Sequence, residues 1–160
     1  MRALIALVAF ACVAALNLLW WWLPNRPVEI AGWTAEPLQS VSFAPYRPGQ
    51  SPLTRTFPTP DQIEEDLKRL QGKVRAVRTY SSGENLEAVP QRAGKYGIKV
   101  WEGAWLNGND KENLEQIKLL IDHANKYPDT VERVIVGNEV LLRHDLTVDQ
   151  LRAYIRMVKQ

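Results

Sequence analysis

The stretch VERVIVGNEVLLRHD, residues 131–145, decides the fold class of this chain. It opens as a short β-branched run typical of a buried strand, and it then places Asn138 and Glu139 where that strand would end. The hydrophobic pattern resumes at once in residues 140–142. We therefore expect the amide and the carboxylate to lie within packed structure. The alternative is a Gly-Asn turn with Glu139 as a solvated loop residue.

Three other segments of strand character precede this one. The strand candidates are SVSFAPY (40–46), AVRTYSS (76–82), IKVWEGAWL (98–106) and VERVIVGNEV (131–140). Helix signals separate them, and capping pairs begin three of the helices: Thr59 with Gln62, Asn109 with Glu112, and Thr147 with Gln150. Residues 84–93 indicate a further helix that Pro90 interrupts. Glu84 is interpreted as a residue of its first turn, favoured there by the helix dipole.

This alternation predicts an α/β fold with a parallel sheet covered by helices. A doubly wound open sheet and a (β/α) barrel both fit the pattern. No glycine-rich phosphate-binding motif follows the first strand, so the sequence gives no support to nucleotide binding. The spacing of apolar residues predicts the inward faces of the last two helices: Leu114, Ile117, Ile121 and Ala124 in one, and Val148, Leu151, Ile155 and Val158 in the other.

The N-terminus has the character of a membrane span. Residues 3–23 are almost wholly apolar, with Arg2 before them and Arg26 after them, and at 1.5 Å per residue they reach about 30 Å, a bilayer core. A cleaved signal peptide is the alternative, but WWWLPNRP (20–27) lacks the small residues of a cleavage site. We predict a transmembrane signal-anchor at 1–24, a linker at 25–39 and a domain at 40–160. That domain would lie outside the cytoplasmic membrane, in the periplasm or at the cell surface.

Composition excludes several function classes. The 20 basic and 18 acidic residues are interspersed and leave a formal charge of +2, so no basic footprint for nucleic acid is present. The single cysteine, Cys12, cannot form an internal disulfide. His123 and His144 have no metal-ligand spacing with each other or with cysteine, and no Ser-His-Asp set can be argued. We expect no metal and no cofactor.

Three motifs carry a resemblance to a known family. VIVGNEV (134–140), with AVRTYSS (76–82) before it and SFAPYRPGQ (42–50) at the start, resembles glycoside hydrolase family 17. The likeness is strongest to its bacterial membrane-associated members, which act on β-1,3-glucans, and it covers residues 40–160. The resemblance implies the first half of a (β/α)8 TIM barrel, about four βα units. It also implies that the family nucleophile, which follows strand seven, is not in this chain, so the chain alone is expected to be an inactive fragment.

The resemblance assigns roles to particular residues. Glu139 would be the general acid/base of a retaining glycosidase, and the substrate-binding candidates are Asn138, Arg78, Tyr80, Tyr46 and Trp105. Asn138 would bind the sugar 2-hydroxyl, Arg78 would keep the nucleophile ionised and Tyr80 would shape the subsite. A plain ion pair for Arg78 and simple packing for the aromatic residues are the alternatives.

Two tryptophans and one acidic residue complete the expectations for the third strand. Trp101 and Trp105 are four apart, so they would face one side of that strand, Trp101 in packing. Glu102 would face the opposite side and pair with Lys99 or Arg78, without a catalytic role.

The predicted function is a retaining hydrolase or transglycosylase acting on a β-1,3-glucan or its oligosaccharides. The alternative is a membrane-anchored, non-catalytic glucan-binding or assembly module. In either case the unpaired strand edges of a half-barrel could lead to self-association.

Overall fold

The computed structural model describes residues 1–28 and 36–160, and the chain divides into two compact units, 1–35 and 36–160. The first unit contains helix α1 (Arg2–Trp22), which is a candidate transmembrane segment by length and apolar composition. The amide of Asn17, the one strongly polar residue in its middle, donates to the Val13 carbonyl one turn earlier. The predicted linker, 25–39, lies in part outside the described residues.

The second unit is a layered α/β structure. Its elements are β1 (Leu38–Ser42), α2 (Pro60–Leu70), β2 (Val74–Arg78), α3 (Ala88–Lys95), β3 (Lys99–Ala104), α4 (Asp110–Lys126), β4 (Val131–Val136) and α5 (Val148–Val158). The four strands form one sheet in the order β1-β2-β3-β4, and every neighbouring pair is parallel. This confirms the predicted parallel sheet. Because the order follows the chain without reversal, the sheet is part of a barrel rather than a doubly wound sheet.

All four strands end earlier than the sequence predicts. They stop at residues 42, 78, 104 and 136, so the polar and aromatic positions that follow lie in loops at the carboxyl edge of the sheet. Gly137 turns the chain out of β4 with φ +78°. Trp105 lies just beyond the end of β3, so the prediction that Trp101 and Trp105 share one strand is wrong.

The predicted capping residues begin their helices. Thr59 and Thr147 each accept from the backbone three residues on, and Gln62 and Gln150 return the bond to the cap. Asn109 accepts from the first backbone N–H groups of α4.

The second interval differs from the prediction, because α3 begins at Ala88 rather than at residue 84. Glu84 and Asn85 precede it with φ values of +63° and +67°, which are incompatible with a helix. Glu84 is therefore a loop residue, and Pro90 falls in the first turn of α3, where a proline costs little.

Two apolar clusters lie between sheet and helices. The first joins β1–β3 to α2 and α3, and its fully buried members include Ile63, Leu67, Val77, Val89 and Val100. The second lies under α4 and α5 and includes Ala104, Leu106, Ile117, Leu120, Val140, Leu146 and Tyr154.

The predicted inward faces of α4 and α5 are rotated from the observed ones. Helix α4 buries Asn113, Ile117, Leu120 and His123, whereas Leu114 is 50% exposed. In α5 the buried residue is Tyr154, and Val148 is 50% exposed. The apolar periodicity misses these faces because polar side chains occupy part of them.

Two side chains of β3 have partners that the sequence did not indicate. Glu102 is 1% exposed and bonds to His123 Nδ1 at 2.6 Å, not to Lys99 or Arg78. Trp101 donates its indole N–H to the Glu132 carboxylate at 2.7 Å, across a register shift between β3 and β4.

Candidate active site

The carboxyl edge of the sheet carries every residue that the sequence singles out as a site candidate. They are Tyr46 after β1, Arg78 and Tyr80 at the end of β2, Trp105 after β3, and Asn138 and Glu139 after β4. In parallel α/β folds this edge is where ligands bind. Four separate loops thus contribute to one surface.

Arg78 connects the second strand to the Asn-Glu pair. Its Nη2 donates to Asn138 Oδ1 at 2.9 Å, and its guanidinium lies 4.8 Å from the centre of the Tyr80 ring. The Tyr80 hydroxyl is in turn hydrogen-bonded to Ser42 Oγ at 2.9 Å. Within residues 36–160 Arg78 has no acidic partner within ion-pair distance. Its positive charge therefore remains at the sheet edge, partly buried, beside a neutral amide.

Glu139 is exposed in the loop after β4, so the expectation that its carboxylate lies within packed structure is wrong. Its backbone conformation is also unusual. Its φ is +54°, in the left-handed region, two residues after the left-handed Gly137. For a residue with a Cβ this region costs about 1 kcal/mol or more, and neighbouring contacts must hold it. The N–H of Gly137 donates to the Ala104 carbonyl at 3.1 Å, which keeps the start of this loop against β3. The carboxylate is thereby presented at the edge of the sheet.

An aromatic cavity of about 280 Å³ lies next to this edge. Tyr46, Tyr80 and Trp105 line it, together with Glu84 and the loop that follows β1. An adjoining cavity of about 480 Å³ shares Pro52, Glu84 and Trp105 with it and extends toward the start of α4. The three aromatic candidates are thus brought together around one space.

Glu84 lines both cavities, a position that the sequence did not indicate. Burial raises the pKa of its carboxyl, and the negative charge of Glu112 raises it further. Burial also raises the pKa of the Tyr46 hydroxyl, with Glu84 adding to the effect. Glu84 has a left-handed backbone where it lines the cavities, and no local motif predicts that conformation.

Helix α4 holds the loops after β2 and β3 in place. The Gln116 side-chain oxygen accepts from the Ser82 N–H at 2.9 Å and from the Trp105 N–H at 3.2 Å. Close packing of the strands helps, because a Cβ on Gly103 would lie 2.6 Å from the Thr79 carbonyl oxygen. The positions of Tyr80 and Trp105 therefore depend on buried contacts behind them.

The Glu102–His123 pair lies away from the edge, between β3 and α4. Burial raises the pKa of Glu102, and the hydrogen bond to His123 acts in the opposite direction. Its Oε2 is buried and has no hydrogen-bond partner in the described part of the chain. Helix and strand are thus joined by a polar contact that the sequence reasoning missed, since 21 residues separate its members.

Other parts of the unit are less suited to a site. A more open cavity of about 650 Å³ lies beside Gln39, Arg75, Lys99 and Trp101, and none of the site candidates lines it. Over residues 1–28 and 36–160 no group of three or more His, Cys, Asp or Glu side chains could hold a metal ion.

Comparisons with known proteins identify the family of this chain. Residues 40–160 match the model of the BtgE/BtgC glycoside hydrolase domain. The chain is 25% identical over 131 residues to the glucan endo-1,3-beta-glucosidase btgC of Emericella nidulans. The match covers 75% of this chain and 20% of that protein. The glycoside hydrolase resemblance that the sequence indicates is confirmed by these matches.

Two solved structures of a β-1,3-glucanosyltransferase from Rhizomucor miehei share the fold. One is described as a glycoside hydrolase family 17 enzyme, and the other is an active-site mutant in complex with laminaritriose. Both match with a TM-score of 0.64, at 20% and 21% identity, over 79% of this chain and 46% of the solved chain. The fold of residues 36–160 is accordingly part of a TIM barrel. The chain spans about a fifth of the curated relative and under half of the solved chains.

Proposed function

The chain belongs to the BtgE/BtgC glycoside hydrolase domain family, and from this premise we propose that it supplies the acid/base half of a retaining β-1,3-glucan hydrolase or transglycosylase of glycoside hydrolase family 17. One observation carries the proposal. Glu139 follows β4 at the carboxyl edge, next to Asn138, which Arg78 holds, and the Arg78 guanidinium packs on Tyr80, a residue of the aromatic cavity. The printed names of the relatives, a glucan endo-1,3-beta-glucosidase and a β-1,3-glucanosyltransferase, support the substrate class.

Glu139 acts as the proton donor and later as the base. Its carboxyl group protonates the glycosidic oxygen as the bond to the anomeric carbon breaks. The resulting carboxylate then takes a proton from water in hydrolysis, or from a sugar hydroxyl in transfer. Asn138 hydrogen-bonds the 2-hydroxyl of the reacting sugar, and that bond strengthens in the transition state.

Arg78 prepares the position of the nucleophile. In a retaining enzyme a second carboxylate lies about 5–5.5 Å from the acid/base and attacks the anomeric carbon. The Arg78 guanidinium is partly buried and has no acidic partner in residues 36–160, so its charge would favour the ionised form of a carboxylate brought beside it. We assign that nucleophile to a part of the barrel outside this chain.

The aromatic cavity binds the neighbouring sugars of the glucan. Tyr46, Tyr80 and Trp105 present ring faces, which pack against the C–H faces of glucose units while the hydroxyl groups stay hydrated. The cavity is about 280 Å³, and it opens into the adjoining one along Trp105. This arrangement supports a chain of sugars rather than a single monosaccharide.

Helix α1 holds the domain at a membrane, with residues 36–160 on the extracytoplasmic side. The run Trp20–Trp22 ends the apolar helix, and Arg26 lies 4.2 Å from the Trp22 ring, a pairing suited to the headgroup region. Deleting residues 1–24 is expected to move the protein from the membrane fraction to the soluble fraction. Light scattering of that soluble form reports whether it self-associates. Recovery of native protein that already lacks residues 1–24 would favour a cleaved signal peptide.

Glu139→Gln tests the catalytic assignment in the full-length protein. We expect kcat/KM on β-1,3-glucan to fall about 10²–10⁴-fold, the range of general acid–base catalysis, with the thermal unfolding midpoint unchanged. The control is Glu87→Gln, an exposed carboxylate near the start of α3, which should stay within about two-fold of wild type. Undiminished turnover by Glu139→Gln would refute the assignment. Glucan binding by wild type without turnover would instead favour a binding module.

A further inference from the structure

We propose that Arg143 is a positioning residue that fixes the Glu139 loop against Trp105, so that the proton donor and the sugar-stacking ring keep one relative orientation. The proposal rests on the function proposed above, because it supposes that Glu139 and Trp105 both face the glucan. Arg143 lies four residues after Glu139, in the loop between β4 and α5. Neither the family motifs nor the apolar pattern singled it out.

The guanidinium of Arg143 connects three segments. Its Nη1 donates to the Asn138 carbonyl at 2.5 Å, and its Nη2 donates to the Leu106 carbonyl at 3.1 Å. Its Nε donates to Asp145 Oδ2 at 2.7 Å. A planar fork with five N–H donors can make such bonds at the same time, which a lysine ammonium on a flexible stem cannot reproduce. The Asn-Glu loop is thereby held to the loop after β3.

The same guanidinium also covers one side of the Trp105 ring. It lies 4.4 Å from the ring centre, within cation–π distance, and Trp105 remains 38% exposed. Trp105 lines both cavities of the candidate site. The plane of the stacking ring is therefore set by the residue that also holds the backbone before Glu139.

The loop needs such a support because its backbone is strained. Glu139 has φ +54° and His144 has φ +58°. The Arg143 N–H donates to the Glu139 carbonyl at 2.9 Å, and the Asp145 N–H donates to the Val140 carbonyl at 3.0 Å. These bonds close the loop on itself, and the Arg143 guanidinium adds a bond to the Asn138 carbonyl at its start.

Asp145 neutralises the charge that this support introduces. Asp145 Oδ2 lies 2.7 Å from the Arg143 guanidinium, and both side chains are partly buried. The site thus obtains the geometry of an arginine without its full positive charge.

Two substitutions separate positioning from charge. Arg143→Met keeps length and contact with Trp105 but loses every donor, and we expect kcat on β-1,3-glucan to fall about 10–100-fold, the cost of a misplaced reacting group. KM should change by less than kcat. Arg143→Lys should recover part of kcat, because it retains the charge and one donor group. The matched control is Arg156→Met, an exposed arginine on α5, which should keep wild-type kcat and KM.

A double mutant shows whether Arg143 acts through Glu139. In the Glu139→Gln background, Arg143→Met should lower kcat by no more than about two-fold, because residues that act as a unit are non-additive. Full additivity would overturn the proposal, and so would an Arg143→Met enzyme with wild-type kcat while Glu139→Gln is inactive. If Glu139→Gln keeps its turnover, the proposed function fails instead.

Amide hydrogen exchange decides the loop contact even without turnover. In Arg143→Met the N–H groups of residues 143 and 145 should exchange faster, while those of β3 and α4 stay protected. Unchanged protection at both positions would contradict the role of the side chain in holding the loop. Loss of protection throughout residues 36–160 would show a general structural role and would also overturn the proposal.

Discussion

The helices that cover the sheet pack on it in two different ways. Helices α2 and α3 contact β1–β3 through apolar side chains such as Ile63, Leu67 and Val89, all fully buried. Helix α4 also buries apolar residues, but it places Asn113 and His123 on the same inward face. Helices α2 and α3 cover the sheet, whereas α4 also holds loops and a buried carboxylate.

The polar contacts of α4 show what that difference achieves. Asn113 accepts from the Asn107 N–H at 2.8 Å and donates to the Asn107 carbonyl at 2.7 Å, and Gln116 binds the backbone of Ser82 and Trp105. Each such hydrogen bond adds about 1 kcal/mol to the stability of the folded state. Removing only one of its two partners costs more than that, because the other partner is left buried without a hydrogen bond. Helix α4 needs these polar side chains because apolar packing alone cannot fix the orientation of a loop.

The largest expected effect on stability comes from the apolar contacts of α2 with the sheet. Leu67→Ala removes a fully buried side chain of α2 and should lower the free energy of unfolding by about 2–5 kcal/mol, through lost burial and the cavity that remains. Leu114→Ala is the matched control, because the sequence predicts Leu114 to be buried and the structure leaves it 50% exposed. Urea denaturation should give the control a loss below about 1 kcal/mol. Equal losses would mean that α4 presents its apolar stripe to the sheet after all.

The Glu102–His123 pair, which joins α4 to β3, should make the free energy of unfolding depend on pH. Burial raises the pKa of Glu102, so the folded state holds this proton more tightly than the unfolded state. The stability contributed by Glu102 is therefore fully present below the ordinary carboxyl pKa and is lost as the pH rises through the raised folded value. Glu102→Gln cannot titrate and should flatten this dependence.

The measurement is urea unfolding of wild type and Glu102→Gln across the acidic to neutral range. The unfolding free energy of wild type, minus that of the variant, should decrease as the pH rises above the ordinary glutamate value. A difference that is constant or increases with pH would contradict a raised pKa for Glu102. The exposed Glu87→Gln provides the baseline for a carboxylate at the surface.

A smaller effect is expected at Gln116. Gln116→Leu leaves the N–H groups of Ser82 and Trp105 without their acceptor, which should cost about 1–3 kcal/mol of unfolding free energy. Laminari-oligosaccharide binding should weaken as well, because Trp105 loses its anchor. The exposed Gln91→Leu on α3 should change neither quantity. If Gln116→Leu loses stability and keeps its affinity, α4 stabilises the fold without positioning the site.

The sequence predicted those features that depend on local pattern. The capping pairs at Thr59 and Thr147 and the alternation of strands and helices are seen in the structure. The inward face of α4 was not predictable from apolar spacing, because Asn113 and His123 are buried through bonds to residues distant in the chain. Strand ends were set too late, since apolar and aromatic residues continue into the loops that bound the site.

The candidate site divides in the same way. Glu139 and Arg78 belong to motifs that are visible in the sequence, and their positions at the sheet edge follow from the topology. Arg143 binds two backbone carbonyls, which leave no signature in the identity of the residues that carry them. Glu84 lines the cavities with a left-handed backbone that no local rule requires.

The leaving-group dependence of Glu139→Gln shows whether Glu139 is the proton donor. A proton donor matters when the departing oxygen is basic, and it matters little when an activated aryl group leaves. We therefore expect kcat/KM of Glu139→Gln in the full-length protein to fall by about 10²–10⁴-fold on β-1,3-glucan and far less on the dinitrophenyl β-glycoside of a laminari-oligosaccharide. Equal losses on both substrates would contradict the role of Glu139 as the acid.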